Sequence, residues 1–330
     1  MIRSTVSGSR RSRSVLRIAV LGDLMVDVVL RPDRSLAAGT DVPGHVAIRA
    51  GGSAANTARW LSRLGASVTL VGAVGRDPAG QALAADLRSA GVRPRLVRVA
   101  AARTGRIGVL VAPGGERSFV ADRGAADGLR PDDVQPAWLT GVALLHLPVY
   151  SLLGRPLGLA GQRAIDLARA ADARVSLDLA SIAPLLAGGR PAALELVRTA
   201  APDLLFATAA EARALLGSAT ADEAEAVDGL LALAPVVVIK RGARGATVLA
   251  RSPGEPIRID VPAGAVAAAD TTGAGDAFDA GFIVAWLAGA GEASAAGVRD
   301  RRAHLRLAAR AGHRAARRLL VGPRPELPLL

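Results

Sequence analysis

Two carboxylates, Asp270 and Asp276, bracket the string Thr271-Thr272-Gly273-Ala274-Gly275 ahead of an apolar run from Phe278 to Leu287. Phe278, Phe282 and Ala285 recur at i, i+4 and i+7, so the run reads as a helix with one apolar face. A helix start here delivers the free N–H groups of Gly273, Ala274, Gly275 and Asp276 to one place. Unpaired amides at the positive end of a helix dipole make an anion site. The glycines let another group approach the backbone closely. Asp276 puts a base inside that positive pocket, and a base beside a phosphate cradle is what phosphoryl transfer to a hydroxyl requires. A helix start with an acidic first turn is the plainer reading of Gly-Ala-Gly-Asp alone.

A second polar cluster, Gly51-Gly52-Ser53-Ala54-Ala55-Asn56, opens another helical pattern through Trp60, Leu61 and Leu64 that stops at Gly65. Ser53 is the expected N-cap. The glycine pair admits something close to the backbone, and Asn56 on the first turn points the same way; a loop before a helix is the alternative. Leu16 to Gly22 has the look of a first buried strand, and Asp23 and Asp27 follow its C-terminal end. Ligands bind beyond that end in open parallel sheets. Val142–Leu147, Val175–Leu179, Asp203–Phe206 and Val236–Ile239 read as further buried strands, with helical patterns at Leu157–Ala171 and Ala209–Leu216 between them. Lys240-Arg241-Gly242-Ala243-Arg244-Gly245 follows the last of these, where a hairpin turn would by itself explain the glycines. His45–Ala50, and Arg106–Ala112 with Ser118–Ala121 across a Pro-Gly-Gly turn, are strands interrupted by polar residues. Val28 to Ala50 as a whole is a polar, Pro/Gly-marked segment.

Composition bounds the class. The chain has 330 residues, 51% of them hydrophobic, enough for one large core or two modest ones. Alternating strands and helices favour a single α/β domain. There is no cysteine, which removes disulfides and thiolate chemistry, and the four histidines have no metal-ligand spacing. No apolar run is long enough to span a membrane. Residues 1–14 are Ser/Arg-rich without an apolar stretch and are expected to be a disordered basic tail. The formal charge of +12 comes almost wholly from arginine, since Lys240 is the only lysine. The densest run, Arg299 to Arg318, carries eight arginines on a helical pattern whose Leu305, Leu319 and Leu320 face a core. With almost no aromatic residues there, a solvated helix face is expected rather than a nucleic-acid contact.

Other phosphate devices are missing. The lone lysine follows Ile239, so no Walker A loop exists, and neither Gly273/Gly275 nor Gly289/Gly291 continues into a dinucleotide fingerprint. No protein-kinase loop signature is present.

The string Asp-Thr-Thr-Gly-Ala-Gly-Asp-Ala-Phe (270–278) resembles the C-terminal signature of the ribokinase-like (PfkB-type) carbohydrate kinases. The Gly51-Gly52 cluster resembles the N-terminal one, and Val71 to Asp77 with Gly80 matches the usual continuation. The resemblance covers about residues 16–323. It implies an α/β fold: a single domain, residues 15–323, with a central mostly parallel sheet flanked by helices, a small β-lid from about 28–50 and 104–124, and a C-terminal tail from 324 to 330. It implies Asp276 as catalytic base, the amides of Gly273, Ala274, Gly275 and Asp276 as anion hole, and Asp27, Gly51, Gly52 and Asn56 as sugar-binding groups. Lys240, Gly242 and Gly245 match a Lys-x-Gly-x-x-Gly turn beneath the nucleotide, with Thr208 also on the ATP side. Glu211 would hold Mg²⁺ through water, and Asp270 and Thr272 would help hold a monovalent cation, K⁺ being the candidate.

Three departures stand out. Thr208 replaces the usual asparagine three residues before Glu211. His146-Leu147-Pro148 stands where ribokinases carry a sugar-binding glutamate, and Gly124-Ala125-Ala126 where Gly-Ala-Asn is usual. The expected activity is transfer of the γ-phosphate of ATP to a sugar hydroxyl by a cytoplasmic enzyme, with sugar and ATP as partners and neither nucleic acid nor membrane. A homodimer through the lid is left open. The alternatives are a nucleoside kinase of the same fold and a non-catalytic relative that binds a ligand.

Overall fold

The computed structural model describes residues 15–114, 116–217, 223–266, 268, 270–289 and 298–328. The basic segment 1–14 lies outside the described residues. The chain forms two sheets. The larger has nine strands in the spatial order β13 (Ile257–Val261), β12 (Ala246–Ala250), β11 (Val236–Lys240), β10 (Leu204–Thr208), β9 (Arg174–Asp178), β8 (Leu144–Pro148), β1 (Arg17–Leu21), β4 (Ser67–Gly75) and β5 (Arg93–Val99). From β11 to β5 every neighbouring pair is parallel; β12 and β13 add an antiparallel edge. The central strands are near-continuous apolar runs because helices cover both faces. On one face pack α1 (Ser53–Arg63), α2 (Pro78–Ser89), α8 (Ala274–Ala288) and α9 (Val298–Val321). On the other lie α3 (Leu157–Ala170), α4 (Ile182–Leu186), α5 (Arg190–Ala200), α6 (Ala209–Leu216) and α7 (Glu223–Leu233). The arginine-rich helix α9 buries Leu305, Ala308, Ala309 and Ala315 and turns most of its arginines outward.

The smaller sheet is the lid, ordered β3 (Gly44–Gly51), β2 (Met25–Pro32), β6 (Arg106–Val111) and β7 (Arg117–Asp122). Strand β2 corrects the sequence reading, which counts 28–50 as lid but reads a strand there only at His45–Ala50 and puts Asp27 just beyond β1. Met25 to Pro32 pair along their whole length with β3, and Asp27 sits on the sheet opposite Arg49. The registers divide the lid into two faces, since side chains alternate along a strand. Asp27, Val29, Arg31, Ala47, Arg49, Val109, Val111, Arg117 and Phe119 share the inner face. Val29, Ala47, Val109 and Val111 pack there as a small core of their own.

The segment expected as a tail from 324 onward is bound as far as Leu327. That residue is buried, and its N–H donates to the Ile48 carbonyl of β3 (2.8 Å). The expected cap of α1 is also corrected. Ser53 is the first residue of the helix, and Gly52 before it, at φ +94°, offers no side chain. The Asp23 carboxylate accepts from the Ala54 N–H (3.0 Å) instead. That frees the Ser53 hydroxyl for other work.

Candidate active site

Helices α1 and α8 start side by side at the edge of one cavity of about 1620 Å³. Pockets for drug-sized ligands measure roughly 300–1,000 Å³, so this space has room for two ligands. Gly273 adopts φ +75°, which suits glycine, and begins α8. The Ala274 N–H donates to the Thr271 carbonyl (3.2 Å), and among the described residues the amides of Gly273, Gly275 and Asp276 have no backbone acceptor. A Cβ on Gly275 would lie 3.4 Å from the Lys240 ammonium.

Asp276 stands in the first turn of α8. Ser53 Oγ donates to its Oδ1 (2.7 Å) and Asn56 Nδ2 to its Oδ2 (3.0 Å), both from the first turn of α1. Burial pushes its pKa up, the two hydrogen bonds offset part of that, and it settles at about 6. A carboxyl poised near neutrality can take a proton and give it up again.

Beneath the helix start lies a buried charge cluster. Lys240, at the end of β11, donates to Asp178 Oδ1 (2.9 Å) and Asp279 Oδ2 (3.0 Å). The two carboxylates hold the ammonium protonated, well above the ordinary lysine value, against the opposing effect of burial. Asp279 comes one turn after Asp276 on α8, its Oδ1 is buried without a partner, and burial raises its pKa. Sequence reading finds Lys240 but not Asp178 or Asp279, which are ordinary acidic residues until the fold stacks three strand and helix ends together.

Thr208 and Glu211 form a reciprocal cap at the start of α6. Thr208 Oγ1 accepts from the Glu211 N–H (3.2 Å), and Glu211 Oε2 accepts from the Thr208 N–H (2.7 Å). Both line the cavity, as does Asp178. Burial and the Asp178 charge raise the Glu211 pKa. Among the described residues no cluster of three or more histidine and carboxylate side chains could cage a metal ion. The oxygen donors of Asp178 and Glu211 still fit a hard cation that keeps its waters and takes other ligands from phosphate. Gly242 and Gly245, at φ +59° and +95°, line the same end. A Cβ on Gly245 would strike the Val261 carbonyl at 2.1 Å, so the fold itself demands that glycine.

At the opposite end the lid contributes Asp27. Its Oδ1 is buried without a partner, and burial, then the charges of Asp23 and Asp276, raise its pKa to about 7. Gly52 and Asn56 line the cavity beside it. Gly51 does not line the cavity: its missing side chain makes room for the Asp27 carboxylate, which a Cβ would meet at 2.0 Å. Arg123, Tyr150 and Phe119 also line this end, and of these the sequence points only to Phe119, as an aromatic that could reach a lid pocket. Arg123 Nε donates to Asp127 (2.6 Å), and its guanidinium lies over the Tyr150 ring at 5.1 Å. His146 is not part of the site, for it is buried in β8 and shares a hydrogen bond with Ser176 Oγ (2.7 Å).

Asp270 and Thr272, the expected monovalent-cation groups, are held by arginines. Asp270 Oδ2 accepts from Arg31 (2.9 Å) and Arg49 (2.8 Å), and Thr272 Oγ1 from Arg117 (2.9 Å).

The geometry has relatives. A family model described as pfkB family carbohydrate kinase matches residues 15–319. An ATP-dependent ribose-1-phosphate kinase of Halopiger xanaduensis is 34% identical over 280 residues, 83% of this chain and 86% of that protein. A mouse ribokinase is 29% identical over 82% of this chain and 81% of its own length. The crystal structure of adenosine kinase from Sinorhizobium meliloti superposes with a TM-score of 0.78 at 25% identity, covering 94% of this chain and 96% of that one.

Proposed function

Because this chain belongs to the pfkB family of carbohydrate kinases, we propose that it transfers the γ-phosphate of ATP to a sugar hydroxyl, with Asp276 as the base. It is a sugar or nucleoside kinase, a phosphotransferase acting on hydroxyl groups. The observation that carries the finer reading is Asp276 itself, a half-buried carboxylate pinned by Ser53 and Asn56 at a helix start whose amides stand ready for an anion.

The acceptor enters at the Asp27 and Asn56 end, and the nucleotide extends toward Lys240, Gly242 and Gly245. The Asp27 carboxylate, which lines the cavity, accepts from acceptor hydroxyls and, with Asn56, fixes their direction, which turns a bimolecular encounter into an oriented one. Asp276 takes the hydroxyl proton as the oxygen attacks the γ-phosphorus. The amides of Gly273, Gly275 and Asp276 hold the equatorial oxygens where charge spreads. Asp178 and Glu211 would hold Mg²⁺ through water, and the bound metal supplies charge neutralisation across the phosphates. The inner lid face excludes water, which would otherwise take the phosphate.

One observation favours a nucleoside as the acceptor: the Phe119 ring, 55% exposed on β7, lines the cavity. A flat base could stack there, whereas a sugar gains less from it. A panel of pentoses, hexoses, sugar phosphates, keto-deoxy acids and nucleosides, each with MgATP and product read by phosphate transfer, separates the two. A nucleoside product overturns the sugar reading. Folded protein that binds no ATP and turns over no acceptor overturns the kinase reading altogether.

The outer lid face leaves Leu30, Val46 and Val120 exposed at 38%, 59% and 78%. A second copy of this chain would bury them, and light scattering on the purified protein tests that.

A further inference from the structure

Four guanidinium groups from distant parts of the chain meet at the segment that leads into the anion hole. Arg31 and Arg49 come from lid strands β2 and β3, Arg117 from β7, and Arg324 from the segment after α9. Between them they occupy the oxygens of Asp270 and Thr272. Arg31 and Arg49 donate to Asp270 Oδ2, and the Thr272 N–H donates to Oδ1 (2.9 Å). Arg324 straddles the backbone: Nη1 donates to the Thr272 carbonyl (2.9 Å) and Nη2 to the Asp270 carbonyl (3.0 Å). A monovalent cation held by Asp270 and Thr272 would need those same oxygens. It would also have to enter beside four positive side chains whose one ion-pair partner, among the described residues, is the carboxylate of Asp270, which Coulomb repulsion opposes. The expected K⁺ does not fit this donor set.

The contact also has a consequence for the catalytic amides. A peptide unit is planar and trans, so fixing the Thr272 carbonyl fixes the Gly273 N–H on the opposite side of the same plane. Arg324 therefore aims the first amide of the anion hole. It does by a side chain what a bound cation would do by coordinating the carbonyl.

We propose that Arg324 is the built-in cation of this enzyme, a positioning residue that replaces a bound monovalent ion and sets the Gly273 amide. Activity is then independent of K⁺, and the lid arginines Arg31 and Arg49 tie lid position to the same loop through Asp270. Although Asp270 is partly buried, the hydrogen bonds from Thr272 and Arg49 hold its pKa at about 2, so this clamp stays charged throughout the working pH range.

The test compares wild type with Arg324→Ala and Arg324→Lys in choline, sodium and potassium chloride at equal ionic strength. Wild-type kcat and Tm should change less than about twofold and 1 °C between choline and potassium. Arg324→Ala should lose at least tenfold in kcat with acceptor KM nearly unchanged, since losing one anion-hole donor costs about 10²–10³. Millimolar guanidinium or potassium should restore part of that loss and raise the variant's Tm, and Arg324→Lys should lie between. A wild-type enzyme activated tenfold by potassium overturns the proposal, as does an Arg324→Ala variant with wild-type kcat. If Arg324→Ala does not fold, Arg324→Lys decides, because a kcat in choline lowered severalfold and partly restored by guanidinium supports the proposal, and wild-type kcat overturns it. The proposal rests on the kinase reading. Lack of turnover with every acceptor would sink that reading, while the wild-type thermal response to potassium still tests the arginine.

Discussion

At the site, the charged groups of the nine-stranded body find partners. Lys240 lies between Asp178 and Asp279, and Asp276 accepts from Ser53 and Asn56, while Asp279 Oδ1 keeps none. In the four-stranded lid they do not. Asp27 keeps a buried oxygen without a partner, and Arg31 and Arg49 reach across to Asp270 in the body. A buried polar group without a partner is costly. On the proposed reading the phosphate end is largely assembled in advance, and the acceptor end depends more on its ligand.

If that contrast holds, damage to the body should destroy chemistry or the fold, and damage to the lid should weaken acceptor binding. Asp276→Asn should lower kcat by about 10²–10⁴, the usual contribution of a general base, with ATP affinity and Tm nearly unchanged. Retention of more than a tenth of wild-type kcat in stopped assays would remove Asp276 from its role. Lys240→Met should leave Asp178 and Asp279 facing each other without a cation. Breaking a buried ion pair costs about 3–5 kcal/mol, to be read as a drop in denaturation midpoint at pH 7. A midpoint within error of wild type would mean that the cluster is wet and weak.

Asp27→Asn should act at the lid alone, raising acceptor KM about tenfold, with the ATP KM unmoved. Loss of a charged hydrogen bond costs about 1.5–3 kcal/mol. The same variant sharpens the comparison through pH. Asp27 and Asp276 titrate at about 7 and 6 in the fold against 3.8 when unfolded. Both pKa values are raised, so their contribution to stability is fully present below about pH 4 and is lost as pH rises through 6 and 7. The ligand-free protein should therefore lose Tm over that window, and Asp27→Asn should flatten the slope. Equal increases in both KM values would place Asp27 with the nucleotide.

The smallest expected effect is on Ser53→Ala. Removing one hydrogen bond to the Asp276 carboxylate should move the acid limb of kcat/KM upward by up to about one pH unit from its midpoint near 6. The plateau should change little. An unmoved acid limb would mean that another group controls it.

The helix-period run after Gly275 and the glycine-bounded strands made the α/β class and the helix start after Gly273 legible, because those depend on local periodicity and on glycine's backbone freedom. Lid strand β2 was not legible. Its Asp27 and Arg31 break the apolar alternation, since on this strand the inner face serves the site as well as the lid's small core. Ser53 read as a cap from its neighbours and turned out to hold Asp276, as its cap position was taken by Asp23 from another element.

What the sequence determined by itself is the chemistry available at each chain position: a carboxylate in the first turn of a helix, glycine amides beside it, one lysine at a strand end. Tertiary structure alone decided which charges oppose which. Asp178, Lys240 and Asp279 are far apart in the chain, as are Asp270 and Arg324, and no local spacing relates them. Side-chain pairing of that kind is set by strand order and by where helices end. The Asp-Thr-Thr string, for which the family resemblance implies an ion site, is therefore closed by arginines here, because the fold delivers their charge to the oxygens an ion would need.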